Sequence, residues 1–288
     1  MVELGLPAGI FNVVHGLGAE AGAPLVSHPD VQAISFTGGT ATGRLVARDA
    51  APMFKKLSLE LGGKNATIVF DDCDLERTVA GVVRASFLNQ GQICLCGSRV
   101  LVQRSIYDRF VPAFIEAVQA LKVGPPSEPD SYLGALISTA HRDKVEGYLA
   151  LAREEGGTIA CGGERPPLPG AFLTPAVVTG LDTTARTACE EIFGPVVTVH
   201  AFDDEADAIE QANGVRYGLA ASVWTENLRR AHRVSASLDT GMVWVNCWLL
   251  RDLRVPFGGV KDSGGGGGGG RHSLEFFSEA QNICIQLG

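Results

Sequence analysis

Two short stretches of this sequence hold residues able to do covalent chemistry. In Asn89-Gln90-Gly91-Gln92-Ile93-Cys94-Leu95-Cys96-Gly97-Ser98, Cys94 sits in a polar, glycine-containing turn. A cysteine is by default a small buried hydrophobe, but a thiol in such a turn can be exposed and activated as a nucleophile. In Leu57-Ser58-Leu59-Glu60-Leu61-Gly62-Gly63-Lys64, leucines alternate with Ser58, Glu60 and Gly62, the pattern of a strand with one apolar face. Glu60 points away from the leucines, where a glutamate is ordinarily just solvated. The double glycine after it, however, permits a sharp turn or a close backbone approach, and a carboxylate beside such a turn is placed to act as a general base. The Cys94-Leu95-Cys96 spacing also invites a metal. A single Cys-x-Cys pair without a second pair or a His cluster is weak support for zinc, so no metal is expected. Cys73, Cys161, Cys189, Cys247 and Cys284 have no comparable setting and read as core or incidental.

A third feature lies nearer the start. Ala33–Phe36 reads as a strand that runs through Gly38 and Gly39 into a helix containing Gly43. That order presents backbone N–H groups to a phosphate, although neither this run nor Gly16-Leu17-Gly18 has the G-x-G-x-x-G spacing of the usual dinucleotide fingerprint.

The elements that must position these residues alternate between short apolar runs and helical periods, which predicts an α/β protein. Residues 66–70, 100–102, 196–199, 220–224 and 242–245 read as strands. Leu75, Val79, Val82, Val83 and Phe87 fall at helical spacing behind Asp71, Asp72 and Asp74, an acidic cap region. Residues 105–108 resemble a capping box opening a helix whose apolar face is Ile106, Phe110, Phe114, Val118 and Leu121. Residues 124–130 and 161–170 are loops. Seven consecutive glycines, 264–270, offer no side chain to pack and lose the most backbone entropy if ordered, so composition favours a flexible linker there. Residues 282–287 read as a terminal strand.

Bulk properties narrow the partners. The 288 residues suffice for about two domains with a substantial core. With 45% hydrophobic and 19% charged residues the chain is globular, and a net charge of −8 without a Lys/Arg cluster argues against nucleic acid and anionic membranes. No run reaches the ~18 apolar residues of a membrane helix, and the first residues have no basic leader ahead of an apolar core. Seven scattered cysteines do not suggest a disulfide framework, so a reducing cytoplasm is expected.

Taken together the motifs are specific. Leu59-Glu60-Leu61-Gly62-Gly63-Lys64, with Gly91-Gln92-Ile93-Cys94 placing the thiol 34 positions after the glutamate, closely resembles the paired signature of the aldehyde dehydrogenase superfamily. Glu190-Glu191-Ile192-Phe193-Gly194-Pro195 is similar to its E-x-F-G-P motif. Ala212-Asn213 with Tyr217-Gly218-Leu219-Ala220 is similar to another of its blocks, and Pro256-Phe257-Gly258-Gly259-Val260-Lys261 with Ser263-Gly264 to a late one. The resemblance is greatest to the 2-hydroxymuconic and 2-aminomuconic semialdehyde dehydrogenases, through residues 247–259 and the tail from Ser273.

The resemblance implies an aldehyde dehydrogenase-like α/β fold. Residues 1–62 would be the C-terminal part of a Rossmann-like NAD(P)-binding domain, 63–262 the catalytic thiol domain, and 263–288 a glycine-rich link with a C-terminal oligomerisation segment. It implies oxidation of an aldehyde to an acid, with Cys94 attacking the carbonyl to give a thiohemiacetal, a thioester following hydride loss, and Glu60 activating the water that hydrolyses it. The Cys94 N–H would be one oxyanion donor. Gly38, Gly39 and Gly43 would lie at the cofactor pyrophosphate, although Gly39 stands where serine is more usual, and Leu61 would also bind the cofactor. Glu191 would hold the nicotinamide ribose and Phe193 the ring. The cofactor is NAD, with NADP left open. Arg251, then Arg254, would bind the carboxylate of an acidic semialdehyde from aromatic ring cleavage, with Phe257 lining the pocket; guanidinium grips carboxylate bidentately. A pair of surface arginines offset by Asp252 is the competing reading. A homo-oligomer, dimer or tetramer, is implied.

Two departures carry their own expectations. Residue 1 aligns inside the family's cofactor domain, so an N-terminal part that bears a second oxyanion donor and the adenosine-ribose contacts would lie outside this chain. Residues 1–62 would then expose apolar surface and an open sheet edge, with weak cofactor binding and poor solubility. Family members also usually carry an Arg-Glu pair near Gly267 and Gly268. The rival readings are a non-catalytic fragment and a thiol esterase that needs no dinucleotide.

Overall fold

Every apolar run picked out above as a core strand lies in one sheet, side by side with its fellows. The computed structural model describes residues 2–288. Its first half runs α1 (Ala23–Ser27), β1 (Ala33–Thr37), α2 (Thr40–Ala50), β2 (Lys56–Glu60), β3 (Ala66–Val69), α3 (Leu75–Phe87), β4 (Arg99–Gln103), α4 (Arg104–Gln119) and α5 (Thr139–Glu154). The second half runs β5 (Thr158–Cys161), β6 (Ala176–Thr179), α6 (Arg186–Cys189), β7 (Val196–Phe202), α7 (Glu205–Asn213), β8 (Tyr217–Gly218), β9 (Ala220–Trp224), α8 (Leu228–Ser237), β10 (Met242–Val245), β11 (Val260–Lys261), β12 (Gly264–Gly265) and α9 (Gly270–Phe276).

The large sheet has the order β10-β9-β3-β4-β7-β6-β5, parallel throughout except for the antiparallel edge strand β5. A parallel sheet is covered on both faces, which is why its strands are continuous Val/Ile/Leu runs rather than alternating ones. On one face Val69, Val100, Val102 and Val199 pack against Val82 and Phe87 of α3 and Phe110 and Phe114 of α4. On the other, Ile68, Leu101 and Phe202 meet Ala208 and Ala212 of α7 and Val234 of α8. No helix among the described residues is long and apolar enough to cross a membrane.

The helix starts differ in part from the sequence reading. Asp74 caps α3, accepting from the Arg77 N–H at 3.1 Å. Asp71 and Asp72 serve elsewhere, Asp72 accepting from Thr225 Oγ1 at 2.7 Å and pairing with Arg230 at 3.0 Å. The capping box at 105–108 does not form. α4 begins straight off β4 at Arg104, one residue before Ser105, so Ser105 lies inside the first turn and donates to Asp71 Oδ2 at 3.0 Å. The apolar face of α4 is as expected, with Ile106, Phe110, Phe114 and Val118 buried.

A small second sheet, β1-β2-β12, carries the rest of the site. β1 runs parallel to β2, and β12 runs antiparallel to it with Gly264 opposite Glu60. The glycine run is therefore an ordered strap and not a free linker. A Cβ on Gly264 would collide with the Leu59 carbonyl, one on Gly266 would stand 2.5 Å from the Leu57 carbonyl, and those on Gly269 and Gly270 would strike the carbonyls of Val255 and Arg254. Gly264, Gly266, Gly267, Gly269 and Gly270 also have positive φ, which side chains resist. The strap can approach β2 and residues 254–257 this closely only because it lacks side chains. Gly265 is different, because a Cβ there meets nothing within 4 Å. Gly264→Ala is expected to lower unfolding free energy by about 2 to 4 kcal/mol, whereas Gly265→Ala should change it by less than about 1 kcal/mol and in the stabilising direction. Urea denaturation of the two variants beside the parent checks this, and equal losses at both positions would refute the ordered strap.

The leucine face of β2 is only half covered, since Leu57 and Leu59 are half-buried while Ser58 is buried. Leu4, Ile10, Phe11, Val13, Val14, Leu17 and Phe54 are exposed, Phe54 at 95%. At the other end, residues 282–287 make no strand pairing among the described residues, and Ile283, Ile285 and Leu287 are exposed. The expected terminal strand has no strand neighbour among the described residues.

Candidate active site

α3 ends at Phe87, and the chain reverses through Leu88–Gly91 before entering β4. The reversal is tight. Asn89, Gln90 and Gly91 all have positive φ, of 51°, 58° and 69°, a strained stretch that persists only where its surroundings hold it. Cys94 follows, half-buried against a cluster of Leu95, Cys96, Leu219, Trp244 and Trp248, with Phe257 packed beside it. Cys96 turns into that cluster, and burial pushes its thiol up to about 12.

Two side chains hold the nucleophile loop from behind, and a third braces the double glycine. Asn65, at the head of β3, donates from Nδ2 to the carbonyls of Cys94 (2.7 Å) and Cys96 (2.8 Å), while its Oδ1 accepts from the Ala220 N–H at 3.0 Å. Trp248 Nε1 donates to the Leu95 carbonyl at 2.9 Å. Ser263 donates from Oγ to the Gly62 carbonyl at 2.6 Å and accepts from the Gly218 N–H, tying the late block to the double glycine. Sequence reasoning did not single out Asn65 or Trp248. The signal for Asn65 was a lone amide between Lys64 and an apolar strand, which a buried position would oblige to find partners; nothing local told which carbonyls those were.

Glu60 lies at the end of β2 with its Oε1 buried and without a hydrogen-bond partner. Its carboxyl is pushed up to about 7, chiefly by burial and against the opposing pull of the Arg251 guanidinium. A carboxyl held near neutrality can take a proton at physiological pH. The Cys94 thiol is also raised, first by burial and then by the carboxylates of Glu191 and Glu60, with Arg251 opposing. It is therefore not ionised in advance and needs a base. Glu60 and Cys94 are linked through one short segment: Phe257 packs against the same buried cluster as Cys94, and a Cβ on Gly258 would stand 3.2 Å from Glu60 Oε1.

The double glycine does its work through protein atoms. A Cβ on Gly62 would strike the Glu191 carboxylate, and one on Gly63 would stand 2.5 Å from the Cys94 carbonyl. Neither glycine has positive φ, so the close approach is present and the sharp turn is not. Glu191 is held there by the Gly63 N–H, which donates to Oε1 at 3.0 Å, and its carboxyl is raised by burial. Phe193, at φ 60°, stands half out of the loop that follows α6.

Gly38, Gly39 and Gly43 come together at the start of α2. The Gly38 N–H donates to the Glu60 carbonyl at 3.0 Å, joining this turn to the base. Gly39 precedes the first turn of α2 with no side-chain cap and open space where a Cβ would be, leaving N–H groups of an 11-residue helix facing outward. Gly43 packs on Leu61, whose Cδ2 would be 2.5 Å from a Cβ there. An uncapped helix start at the carboxyl end of a parallel strand suits a phosphate, so these residues fit a dinucleotide.

The two arginines part company. Arg254 is 89% exposed at its side chain and clasps Asp252, with Nε donating to Oδ1 at 2.9 Å. Arg251 instead lies over the Phe257 ring, 4.3 Å from its centre, and its charge reaches Glu60. Both Arg251 and Phe257 line a cavity of about 540 Å³ with Trp244, Leu250 and Pro256. Cys94 and Glu60 do not line it; the cavity adjoins the thiol site through Phe257 and does not contain it.

A model of the aldehyde dehydrogenase family matches residues 1–283. The 2-aminomuconic 6-semialdehyde dehydrogenase of Pseudomonas sp is 51% identical over 293 residues, a match covering 100% of this chain and 60% of that protein. The 2-hydroxymuconic semialdehyde dehydrogenase of Pseudomonas putida is 50% identical with the same coverage. Among solved structures, the betaine aldehyde dehydrogenase of Staphylococcus aureus in complex with NAD+ superposes with a TM-score of 0.93 at 42% identity, covering 95% of this chain and 55% of that one. The chain thus spans about 60% of the length of the curated relatives it matches.

Proposed function

The chain belongs to the aldehyde dehydrogenase family, and on that premise we propose that it oxidises an acidic semialdehyde to a dicarboxylic acid with NAD as hydride acceptor. The observation that carries this reading is Glu60: a half-buried carboxyl with one buried, unpartnered oxygen and a pKa raised to about 7, beside a thiol that needs a base. Glu60 takes the thiol proton and Cys94 Sγ bonds to the aldehyde carbon, giving a thiohemiacetal. The Cys94 N–H is the oxyanion donor this chain supplies. Bound NAD would supply the acceptor for the hydride that leaves that carbon, after which Cys94 carries a thioester. Glu60 gives up the thiol proton to solvent and then accepts one from water as the hydroxide adds to the thioester carbon; the C–S bond breaks to release the acid, and that second proton returns to the sulfur to restore the thiol.

Gly38, Gly39 and Gly43 would cradle the pyrophosphate beside Leu61, and Glu191 and Phe193 would hold the nicotinamide half. In this reading residues 1–62 belong to the cofactor domain, 63–262 form the thiol domain, and 263–288 carry the oligomerisation segment. A second copy is the partner for the exposed apolar residues of 282–287, and the seven free thiols suit the reducing cytoplasm.

Arg251 is the residue for the substrate carboxylate, because it faces the cavity beside Phe257 while Arg254 is already paired with Asp252. The relatives named for muconic semialdehydes support an acidic substrate. The test follows NADH formation with 2-hydroxymuconic semialdehyde and with a neutral aldehyde of similar length. Arg251→Gln should lower kcat/KM for the acidic substrate about a hundredfold and leave the neutral one within about threefold. No NADH with either aldehyde sinks the function, and equal losses on both sink the role of Arg251.

A further inference from the structure

The segment carrying Glu191 and Phe193 lies between α6 and β7 and has no regular structure of its own. With Phe193 at φ 60°, it keeps one conformation only if its neighbours over-determine it. One face of α5 supplies those neighbours. His141, Lys144, Val145 and Tyr148 are spaced i, i+3, i+4 and i+7, which aligns them along one side of the helix, and each meets a different residue of the loop. His141 Nε2 lies 2.6 Å from the Phe193 carbonyl, with the two rings edge to face at 6.2 Å. Since a carbonyl only accepts, that nitrogen carries the proton. Lys144 Nζ donates to the Ile192 carbonyl at 3.4 Å. Val145 Cγ2 would be 2.6 Å from a Cβ on Gly194, so valine and glycine fit one another. Tyr148 donates from its hydroxyl to Glu190 Oε2 at 2.8 Å. From the opposite side the nucleophile loop closes on the same segment, because a Cβ on Gly91 would strike the Gly194 carbonyl.

We propose that this face of α5 is the positioning element for Glu191 and Phe193, with His141 its central residue and Tyr148 its anchor at the start of the loop. The functional part of this inference rests on the role proposed above for Glu191 and Phe193 toward the nicotinamide half of the cofactor. His141, Lys144 and Tyr148 are positioning residues. Together with Val145 they act by holding Glu190, Ile192, Phe193 and Gly194 to a helix that is itself anchored in the core through Val145, Leu149 and Ala152. Losing one contact lets the loop sample other conformers, so the competent one is populated less and cofactor affinity falls by that fraction.

The test uses the full chain with His141→Ala, His141→Gln and Tyr148→Phe. Amide hydrogen exchange of the peptide spanning 190–195 needs neither cofactor nor substrate. It should quicken about tenfold in His141→Ala and Tyr148→Phe, stay unchanged in the peptide spanning 94–103, and return toward the parent rate in His141→Gln, which keeps a donor. With NAD present, KM for NAD should rise about tenfold in His141→Ala, with kcat changed less than about threefold, and His141→Gln should restore it. Unchanged exchange in both disruptive variants would overturn the clamp. Faster exchange with an unmoved KM would overturn its functional role. If the parent chain forms no NADH, the proposed function fails, and the exchange measurement still decides whether α5 holds the loop.

Discussion

Cys94→Ala is expected to cost NADH formation about 10⁴-fold or more, because every covalent step of the proposed reaction is built on that sulfur. The loss should not reflect unfolding. Cys94 is half-buried at the rim of its cluster, and its loop is held through the Cys94 and Cys96 carbonyls by Asn65, which the substitution leaves in place. Hydrolysis of a nitrophenyl ester should fall in parallel, since the same thiol would carry the acyl group. Cys96→Ala should not reproduce the loss, because that thiol is raised to about 12 and is buried in the cluster with its sulfur toward the Leu88 carbonyl. The measurement is a steady-state rate for each variant together with a thermal melt. A Cys94→Ala protein that melts like the parent and keeps more than about a tenth of its activity would remove the thiol from the mechanism.

Glu60→Gln has the second largest expected effect, a fall of about 10² to 10⁴ in the rate of acid formation. Its pH behaviour is more diagnostic than its size. With the Glu60 carboxyl raised from 4.5 to about 7, the base form accumulates only as pH rises through 7, so the parent's rate should climb across that pH and the Glu60→Gln rate should not. Stability moves in the opposite sense. Between about pH 4.5 and 7 the unfolded chain has released this proton while the folded chain still holds it, so the group costs stability as pH rises through that window and adds no further cost above it. Glu60→Gln removes that cost and should gain in urea midpoint over the parent at pH 8 relative to pH 5. A rate that climbs through pH 7 in both proteins assigns the ionisation to another group, and a variant less stable than the parent at pH 8 would show the carboxylate to be satisfied in a way its unpartnered oxygen does not suggest.

Much of the fold was legible in the sequence because it rests on local pattern. The runs at 220–224 and 242–245 became β9 and β10 with the same bounds, and 75–87 became α3 capped by Asp74. Continuous β-branched runs need both faces buried, and helical spacing needs one, so each reports its own environment. Features that depended on a neighbour were less legible. Ser105 reads as a cap but finds Asp71 instead. The glycine run reads as a linker but is an ordered strap, because composition does not show that four backbone carbonyls crowd it. The site was legible in the same uneven way. Motif spacing named Cys94, Glu60, Glu191 and the α2 glycines, whereas Asn65, Trp248 and the α5 face emerged from contacts with residues far along the chain.

The sequence by itself determined which groups could do the chemistry and that a strand, a glycine pair and a tight turn would carry them. It could not determine their states. Glu60 on an exposed strand would be an ordinary carboxylate; burial raises it to about 7, at a place where β12 pairs alongside it and Gly258 comes close to its carboxylate. The surroundings of Arg251 and Arg254 likewise arise only in three dimensions, one laid on Phe257 and the other paired with Asp252. Pattern fixes identity and local conformation, but desolvation and pairing depend on what long-range packing brings alongside, and those set reactivity.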